Sequence, residues 1–427
     1  MEYKAFVDEA LEKFKSLPEE TDELYKRYFV AMPLQEMADK ISVARLGEKP
    51  EELIKSNGDA LRRKFDAIFW SGGEAIGDSA KYIAVRPIEN SNLENRMTKS
   101  GDDKLAAFLN AYSKKVIQID IPKGAEAKIN LMFINTTSPL PIQIIVNVAE
   151  NASLQMFEYY SSSATERSLL GSMHEVKVGK YANAEINVLH NEDKNTFVVG
   201  WSKAKIEEKS NLKINFIYNG GTFTRSRNKV DVAGLEANGE VNELIVSAGE
   251  QKMDVASNII NSAKSSHAVL ESKAVMMDKS VCVLKGYASI TENAAESRSY
   301  VNERGIILDK DAHIDSIPSM SIGNSDVKAT HSSATAPIDG ESIFYLMSRG
   351  ASELEAKKMV VSGFITGMIG KIDDYIVREI VASIINEKVT TRNYGFVPKI
   401  TTESMWLAGS VQRSSSIFKG HYKYRGE

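Results

Sequence analysis

The rhythm of apolar and polar positions changes twice along the chain. From residue 1 to about 115, apolar residues recur at helical spacing. Ala5, Val7, Leu11 and Phe14 form one stripe, and LEKFKSLPEETDELYKRYF follows, with Pro18 at a first-turn position ahead of acidic residues. The spacing returns in KPEELIKSNGDALRRKFDAIFW, so this part is expected to be a mainly helical domain with its own core. From Val116 the period falls to two. VIQID, LPIQIIVNV, AEINVL, LKINFIY and KSVCVLKG alternate β-branched with polar residues, with Ser, Asn, Gly and Asp between runs. Helical spacing resumes at Glu341. Ser352 and Glu355 form a capping-box pair that starts a helix at Glu353, and Gly350 fits the C′ position of the helix before it. The apolar stripe reads Met359, Val360, Gly363, Phe364 and Met368, and a second helix carries Tyr375, Ile376, Ile380, Ile384 and Ile385. From about Val389 the chain is polar with scattered aromatics, and its SSSIFKGHYKYRGE end is expected to be poorly ordered.

The strand region repeats. A charged residue, then small or polar residues, then a β-branched residue or Leu recurs, ending at Ile129, Leu154, Ile186, Ile214, Val241, Val269, Val283 and Ile314. The interval is near 28 residues from Ile186 to Val269, with one half-interval of 14 to Val283. One strand plus one turn per half-unit makes a flattened coil, and each strand stacks on its equivalent one coil earlier. The competing antiparallel sandwich requires regular hairpin dipeptides. Asn-Gly occurs only at Asn57-Gly58, Asn219-Gly220 and Asn238-Gly239. The pattern therefore favours a β-solenoid.

Composition removes several function classes. A net charge of −4 gives no bulk electrostatic case for nucleic acid or an anionic membrane. The lone Cys282 cannot form an internal disulfide, and the amphipathic start lacks an apolar targeting core. A cytoplasmic protein with no membrane span is expected. Gly370-Lys371 is followed by Ile372 and preceded by Ile365 where a phosphate loop needs Gly. No His-x-x-x-His, Cys-x-x-Cys or Gly-x-Ser-x-Gly occurs. Cys282 alternates with Val281 and Val283, as a small buried hydrophobe does. His267 and His313 fall in repeat turns. His331 lies beyond the last repeat, in DVKATHSSAT.

That last segment resembles the signature of the SufB/SufD proteins of iron–sulfur cluster assembly. Val327-Lys328-Ala329-Thr330-His331-Ser332-Ser333-Ala334-Thr335 is similar to the family's Val-Lys-x-x-His-x-x-Ala-Thr stretch. Phe344-Tyr345-Leu346-Met347-Ser348-Arg349-Gly350 resembles its Phe-Tyr-Leu-x-x-Arg-Gly stretch. Glu355-Ala356, Val361-Ser362-Gly363-Phe364, IQIDIPKGAEAKINL, Gly220-Gly221, and Leu308 with Ala312 and Pro318 extend the likeness from about Val116 to Lys388.

The resemblance implies a mainly β protein, a right-handed parallel β-helix over 116–339. It is flanked by N-terminal helices over 1–115 and C-terminal helices over 340–388, with an unmatched tail over 389–427. It implies a scaffold without catalysis that pairs, with a SufB-like subunit or with itself, through the C-terminal end of the solenoid. The C-terminal helices would dock the ABC-type ATPase SufC through Phe344, Tyr345, Leu346, Arg349, Gly350 and Phe364. A transient iron–sulfur cluster would sit at the subunit interface, with His331 as candidate ligand. The SufB branch carries a Cys before this His and a Glu after it. Aligned without gaps, those positions hold Glu303 and Ser332. The departure points to a SufD-like chain and leaves Glu303 as a weaker ligand candidate. Two alternatives stand beside this reading. One is a homodimeric SufC-binding protein that holds no cluster. The other is a polysaccharide-cleaving β-helix using acids among Glu296, Glu303, Asp309, Asp311 and Asp315.

Overall fold

Each coil is set by its turn. In a computed structural model of the chain, which describes residues 3–20, 32–43, 66–70, 82–88, 96–135 and 139–395, Asn151, Tyr181, Lys209, Glu236 and Ser265 hold left-handed backbone with φ between 52° and 59°. This conformation costs an L-residue roughly 1–2 kcal/mol. It turns the amide along the solenoid axis, where each donates to a carbonyl of the following turn: Asn151 to Lys180, Tyr181 to Glu208, Lys209 to Leu235, Glu236 to Lys264, Ser265 to Ala295. The next residue is small and buried in every case: Ala152, Ala182, Ser210, Ala237 and Ser266. A larger side chain there would hold successive coils apart. The strand then begins. The recurring charged–small–β-branched pattern is thus the turn itself.

The strands stack in parallel into about eight coils. A nine-stranded front sheet and a ten-stranded back sheet result among the described residues. Register places Ile129, Met156, Ile186, Ile214, Val241, Leu270 and Val301 in one inward-facing column of the front sheet. Two details differ from the repeat spacing. Leu270, not Val269, is the partner of Val241, because the turn there is one residue longer. Val283 and Ile314 lie on back-sheet strands. Cys282, between Met253 and Ile314 in register, is fully buried in the core, as its alternation suggests. Outward-facing asparagines form ladders: Asn215 donates to Asn187 at 2.7 Å, and Asn242 to Asn215 at 2.9 Å. In-register stacking lets identical amides bond coil to coil.

The N-terminal part supplies three helices, α1 (Tyr3–Ser16), α2 (Leu34–Val43) and α3 (Lys104–Tyr112). Asp103 caps α3 by accepting from the Leu105 amide at 2.6 Å. Phe14, Leu34, Met37, Leu105, Phe108 and Leu109 pack against Leu169, Met173, Val199 and Trp201 of the back sheet. Residues 49–65, read above as helical, lie outside the described residues. Their continuation, Ala67–Trp70, is a strand parallel to Glu126–Asn135, and Ile83–Pro87 is antiparallel to Lys115–Ile121. Short apolar runs fit either period, and here the unpaired edge of the first coil decides.

The C-terminal part supplies α4 (Gly340–Ser348), α5 (Glu353–Ile369) and α6 (Tyr375–Thr391). Both bonds of the Ser352–Glu355 capping box are present, and Gly350 has φ +98°. Val361, Ile365 and Met368 of α5 and Val377, Ile380, Val381, Ile384 and Ile385 of α6 cover Leu189, Ile217, Leu244, Val246 and Val275 of the front sheet. Each fully buried aliphatic chain contributes about 1.5–3 kcal/mol. The apolar stripe differs from expectation. Met359 is 55% exposed and Ile376 50% exposed. Because α5 is apolar on several sides, periodicity alone did not settle which face packs. No helix among the described residues is long and apolar enough to cross a membrane. Residues 396–427 of the unmatched tail lie outside the described residues.

Candidate functional site

The front sheet ends at the strand Lys328–Pro337, which pairs in register with Arg298–Ile307 and has no further strand beyond it among the described residues. The back sheet ends in two short strands, His313–Ser316 and Ser319–Ile322, both on Val281–Ile290. In the terminal strand, inward-pointing side chains meet no following coil among the described residues. The partner of Val301 is His331. A column of Ile, Met, Val and Leu therefore finishes in an imidazole. Val301 is fully buried and His331 is exposed. Ser333 and Thr335 share its face and are exposed too. Imidazole is a common ligand for iron and zinc in general.

Glu303 lies one strand below, as the register partner of Ser333. It is buried, not presented at the open face. Ser316 Oγ donates to its carboxylate and sits 2.6 Å from Ser333 Oγ. Burial first, and the negative Glu243 second among the raising influences, push its carboxyl up to about 7, against the opposing bond from Ser316. Glu243 belongs to the same column: Glu243, Ser272, Glu303 and Ser333 are successive register partners. Ser272 donates to Glu243 at 2.7 Å, and Ser257 and Asn228 bond it from the back sheet. Burial raises the Glu243 carboxyl as well. The thiol of Cys282 is buried, and burial pushes it well above its ordinary range, so it is neither exposed nor ionised.

A second feature lies on the helices after the terminal strand. Asp339 caps α4 through the Glu341 and Ser342 amides. The helix buries Ile343 but leaves Phe344 74% and Tyr345 57% exposed. The Arg349 guanidinium lies 5.3 Å from the Tyr345 ring centre. Met347, Leu354 and Met359 add exposed apolar surface on α4 and α5. Clustered aromatic, Met and Arg side chains with few charges are the composition of interface cores. Leu346 is half-buried, and Gly350 is exposed at the helix end. Phe364, on α5, is half-buried as Leu346 is, with the Lys273 ammonium 5.1 Å from its ring centre and bonded to its carbonyl at 2.7 Å.

Three of the acids considered for polysaccharide cleavage are engaged in ion pairs. Glu296 pairs with Lys264 at 3.0 Å, Asp309 with Arg392 at 3.3 Å and Asp315 with His313 at 3.0 Å. Among the described residues no group of three or more His, Cys, Asp or Glu could hold a metal ion within the chain. A ligand role for His331 would need groups that the described residues do not supply. The sequence reading passed over Ser316, Ser333 and Glu243. Their only signal is alternation counted from Val301 across three strands, which requires the register.

Residues 133–364 match the family described as SUF system FeS cluster assembly, SufBD core domain. The chain is 24% identical over 289 residues to the iron–sulfur cluster assembly protein SufD of Bacillus subtilis (strain 168), covering 66% of this chain and 64% of that protein. It is 23% identical over 360 residues to iron–sulfur cluster assembly SufBD family proteins of Staphylococcus aureus (strain MRSA252) and Staphylococcus saprophyticus, covering 81% of this chain and 74% of theirs. The chain thus spans just under two thirds of the length of the Bacillus relative.

Proposed function

The chain belongs to the SufBD family of iron–sulfur cluster assembly proteins, and on that premise we propose that it is a SufD-like scaffold subunit whose open solenoid end pairs with a SufB-like subunit. The observation that carries this reading is the terminal strand. A column that is apolar through seven coils ends in an exposed histidine at a sheet edge that is unpaired among the described residues. Strand pairing by a partner would satisfy that edge. It would also bring His331 beside groups the partner supplies, so that one imidazole from this chain and a thiolate from the other hold a transferable cluster as cargo. Glu303, buried below the face, is a less suited ligand than His331. The adjacent helices supply the second half of the role. Phe344, Tyr345, Leu346, Arg349 and Gly350, with Phe364 beneath, form the docking surface for a SufC-type ATPase. In this role the chain acts as a holder and not as a catalyst.

Co-purification tests the reading. The chain expressed with SufB-like and SufC-type subunits is expected to be recovered in one complex, and recovery of the chain alone would sink the proposal. A second reading, a homodimer that binds the ATPase without cargo, draws support from the buried Cys282, which leaves the open face no thiolate of its own. Native mass measurement separates the two, since exchange of homodimers for heterodimers on adding the SufB-like subunit is expected only for the first.

A further inference from the structure

We propose that the outer face of the last two front strands, Arg298–Ile307 and Lys328–Pro337, is a docking surface for an acidic peptide segment of a partner protein. Val301 points into the core, so by alternation Arg298, Tyr300, Asn302 and Arg304 point out. In register with them on the terminal strand stand Lys328, Thr330, Ser332 and Ala334, all exposed. The outward positions of the two strands thus carry Arg298, Arg304 and Lys328 and no acid. Arg298 and Lys328 are direct neighbours across the ladder. Like charges placed so oppose each other. Earlier coils of the same face differ, because their charges are matched. Lys128 pairs with Asp374 at 2.5 Å, Lys213 with Asp373 at 2.9 Å, and Glu240 and Glu271 with Lys371 at 2.8 Å and 2.6 Å. Residues 371–374, between α5 and α6, supply each of those counterions. Among the described residues Arg298, Arg304 and Lys328 form no ion pair. Glu296, in the turn before Arg298, is taken by Lys264 at 3.0 Å.

The crowding of positive charge reaches one strand back. Burial first, then the charges of Arg304 and Lys371, draw the Lys273 ammonium below its ordinary range, against the pull of Glu271. On a chain whose net charge is −4, this is a local feature of the last coils. The surface also narrows the occupant. Tyr300, 37% exposed, lies between the two arginines, and Tyr and Arg are side chains that interfaces favour. Thr330, Ser332 and Ala334 are small, so a chain can lie close along the strand. Arg298 and Arg304 stand six residues apart. That is about 20 Å of strand, a span that an extended peptide with acids toward both ends matches. Nucleic acid fits less well, because its binding grows with the number of phosphates neutralised and the cations here are few. The inference uses neither the cargo reading nor the ATPase reading.

Fluorescence anisotropy of a labelled poly-glutamate peptide titrated with the full chain tests it, beside labelled single-stranded DNA. The wild type is expected to bind the peptide, more weakly as salt rises. Arg298→Glu combined with Lys328→Glu is expected to cut affinity roughly tenfold or more, because each reversal turns an attraction into a repulsion. Both positions are exposed, so an unchanged melting temperature is expected to show the fold intact. Should the reversals lower it, Arg298→Gln combined with Lys328→Gln, which only removes charge, takes their place with a smaller expected loss. Lys279→Glu, at an exposed turn position away from this face, is expected to leave binding unchanged. A wild type that does not bind the peptide overturns the proposal. An equal loss in Lys279→Glu also overturns it, since bulk charge would then be the cause. DNA binding that is tighter than peptide binding and is removed by the same reversals overturns it too, because the face would then be a nucleic-acid site.

Discussion

Asp254 and Glu303 are both buried carboxyls on the same solenoid, and their surroundings are opposite. Asp254 faces outward from the back sheet, where Arg227 bonds it at 2.9 Å, Lys285 at 3.0 Å, and Arg225 approaches at 3.6 Å. Glu20, from the segment after α1, closes the cluster through Arg227 at 2.7 Å. Against the cost of burial, the charges of Arg227, Lys285 and Arg225 hold the Asp254 carboxyl down at about 2. Glu303 faces inward among hydroxyls and another acid and is pushed up to about 7. The first site keeps a charge and fastens the N-terminal segment to the sheet. The second keeps a proton and lies under the open end. The comparison separates the part of the molecule that secures the fold from the part left available for a partner.

Four substitutions break or sharpen this contrast. Asp254→Ala removes the shared anion and leaves buried cations behind, so a loss of about 3–5 kcal/mol in urea unfolding is expected. Because the native carboxyl is held below its unfolded value, the stabilisation it gives is complete above about pH 4 and is lost as pH falls toward about 2. A wild-type-like midpoint for Asp254→Ala would mean the cluster is not a fastening. Leu270→Ala, inside the apolar column, is expected to cost about 2–5 kcal/mol through lost burial and the cavity left behind. Glu303→Gln runs the other way. Its native carboxyl is raised, so the folded state holds more protons than the unfolded between about pH 4.5 and about pH 7, and stability declines across that window as pH rises. The amide removes the decline and is expected to stabilise the chain by about 1–2 kcal/mol at pH 8 with little change at pH 4. Thermal melts at the two values check the sign. His331→Ala, in the same column as Leu270 but on its open rung, is expected to change stability by less than about 0.5 kcal/mol.

The docking surface proposed for the ATPase is tested in the same spirit. Phe344 is 74% exposed, so Phe344→Ala is expected to leave the melting temperature unchanged. A well-packed aromatic anchor at an interface is worth about 2 kcal/mol or more, so ATPase affinity should fall at least tenfold. Unchanged affinity in a titration would remove Phe344 from the interface.

Much of the solenoid could be read from the chain alone, because its signals are local. Alternation marked the strands, and the turn pattern marked the places where a left-handed residue precedes a small buried one. Ser352 and Glu355 marked the start of α5 for the same reason. Properties that depend on register were out of reach. Nothing local distinguishes Val269 from Leu270 as the inward residue, or reveals that Glu243, Ser272, Glu303 and Ser333 stack. The strand at Ala67–Trp70 forms because a sheet edge waits for it, a partner more than sixty residues away in the chain. The outward turn of Met359 and the inward turn of Val361 were ambiguous because α5 is apolar on more than one side. His331 was legible as a residue of interest, but only the fold explains its exposure: it fills a core position with no next coil over it among the described residues.

The most direct test of the account is a reconstitution with the SufB-like and SufC-type subunits, iron and sulfide, comparing wild type with His331→Ala by visible absorption of the assembled cluster. The account predicts that the complex forms equally in both while cluster yield falls severalfold in the variant. Equal yield from an intact complex would contradict the claim that the open end of this solenoid holds the cargo through its terminal histidine.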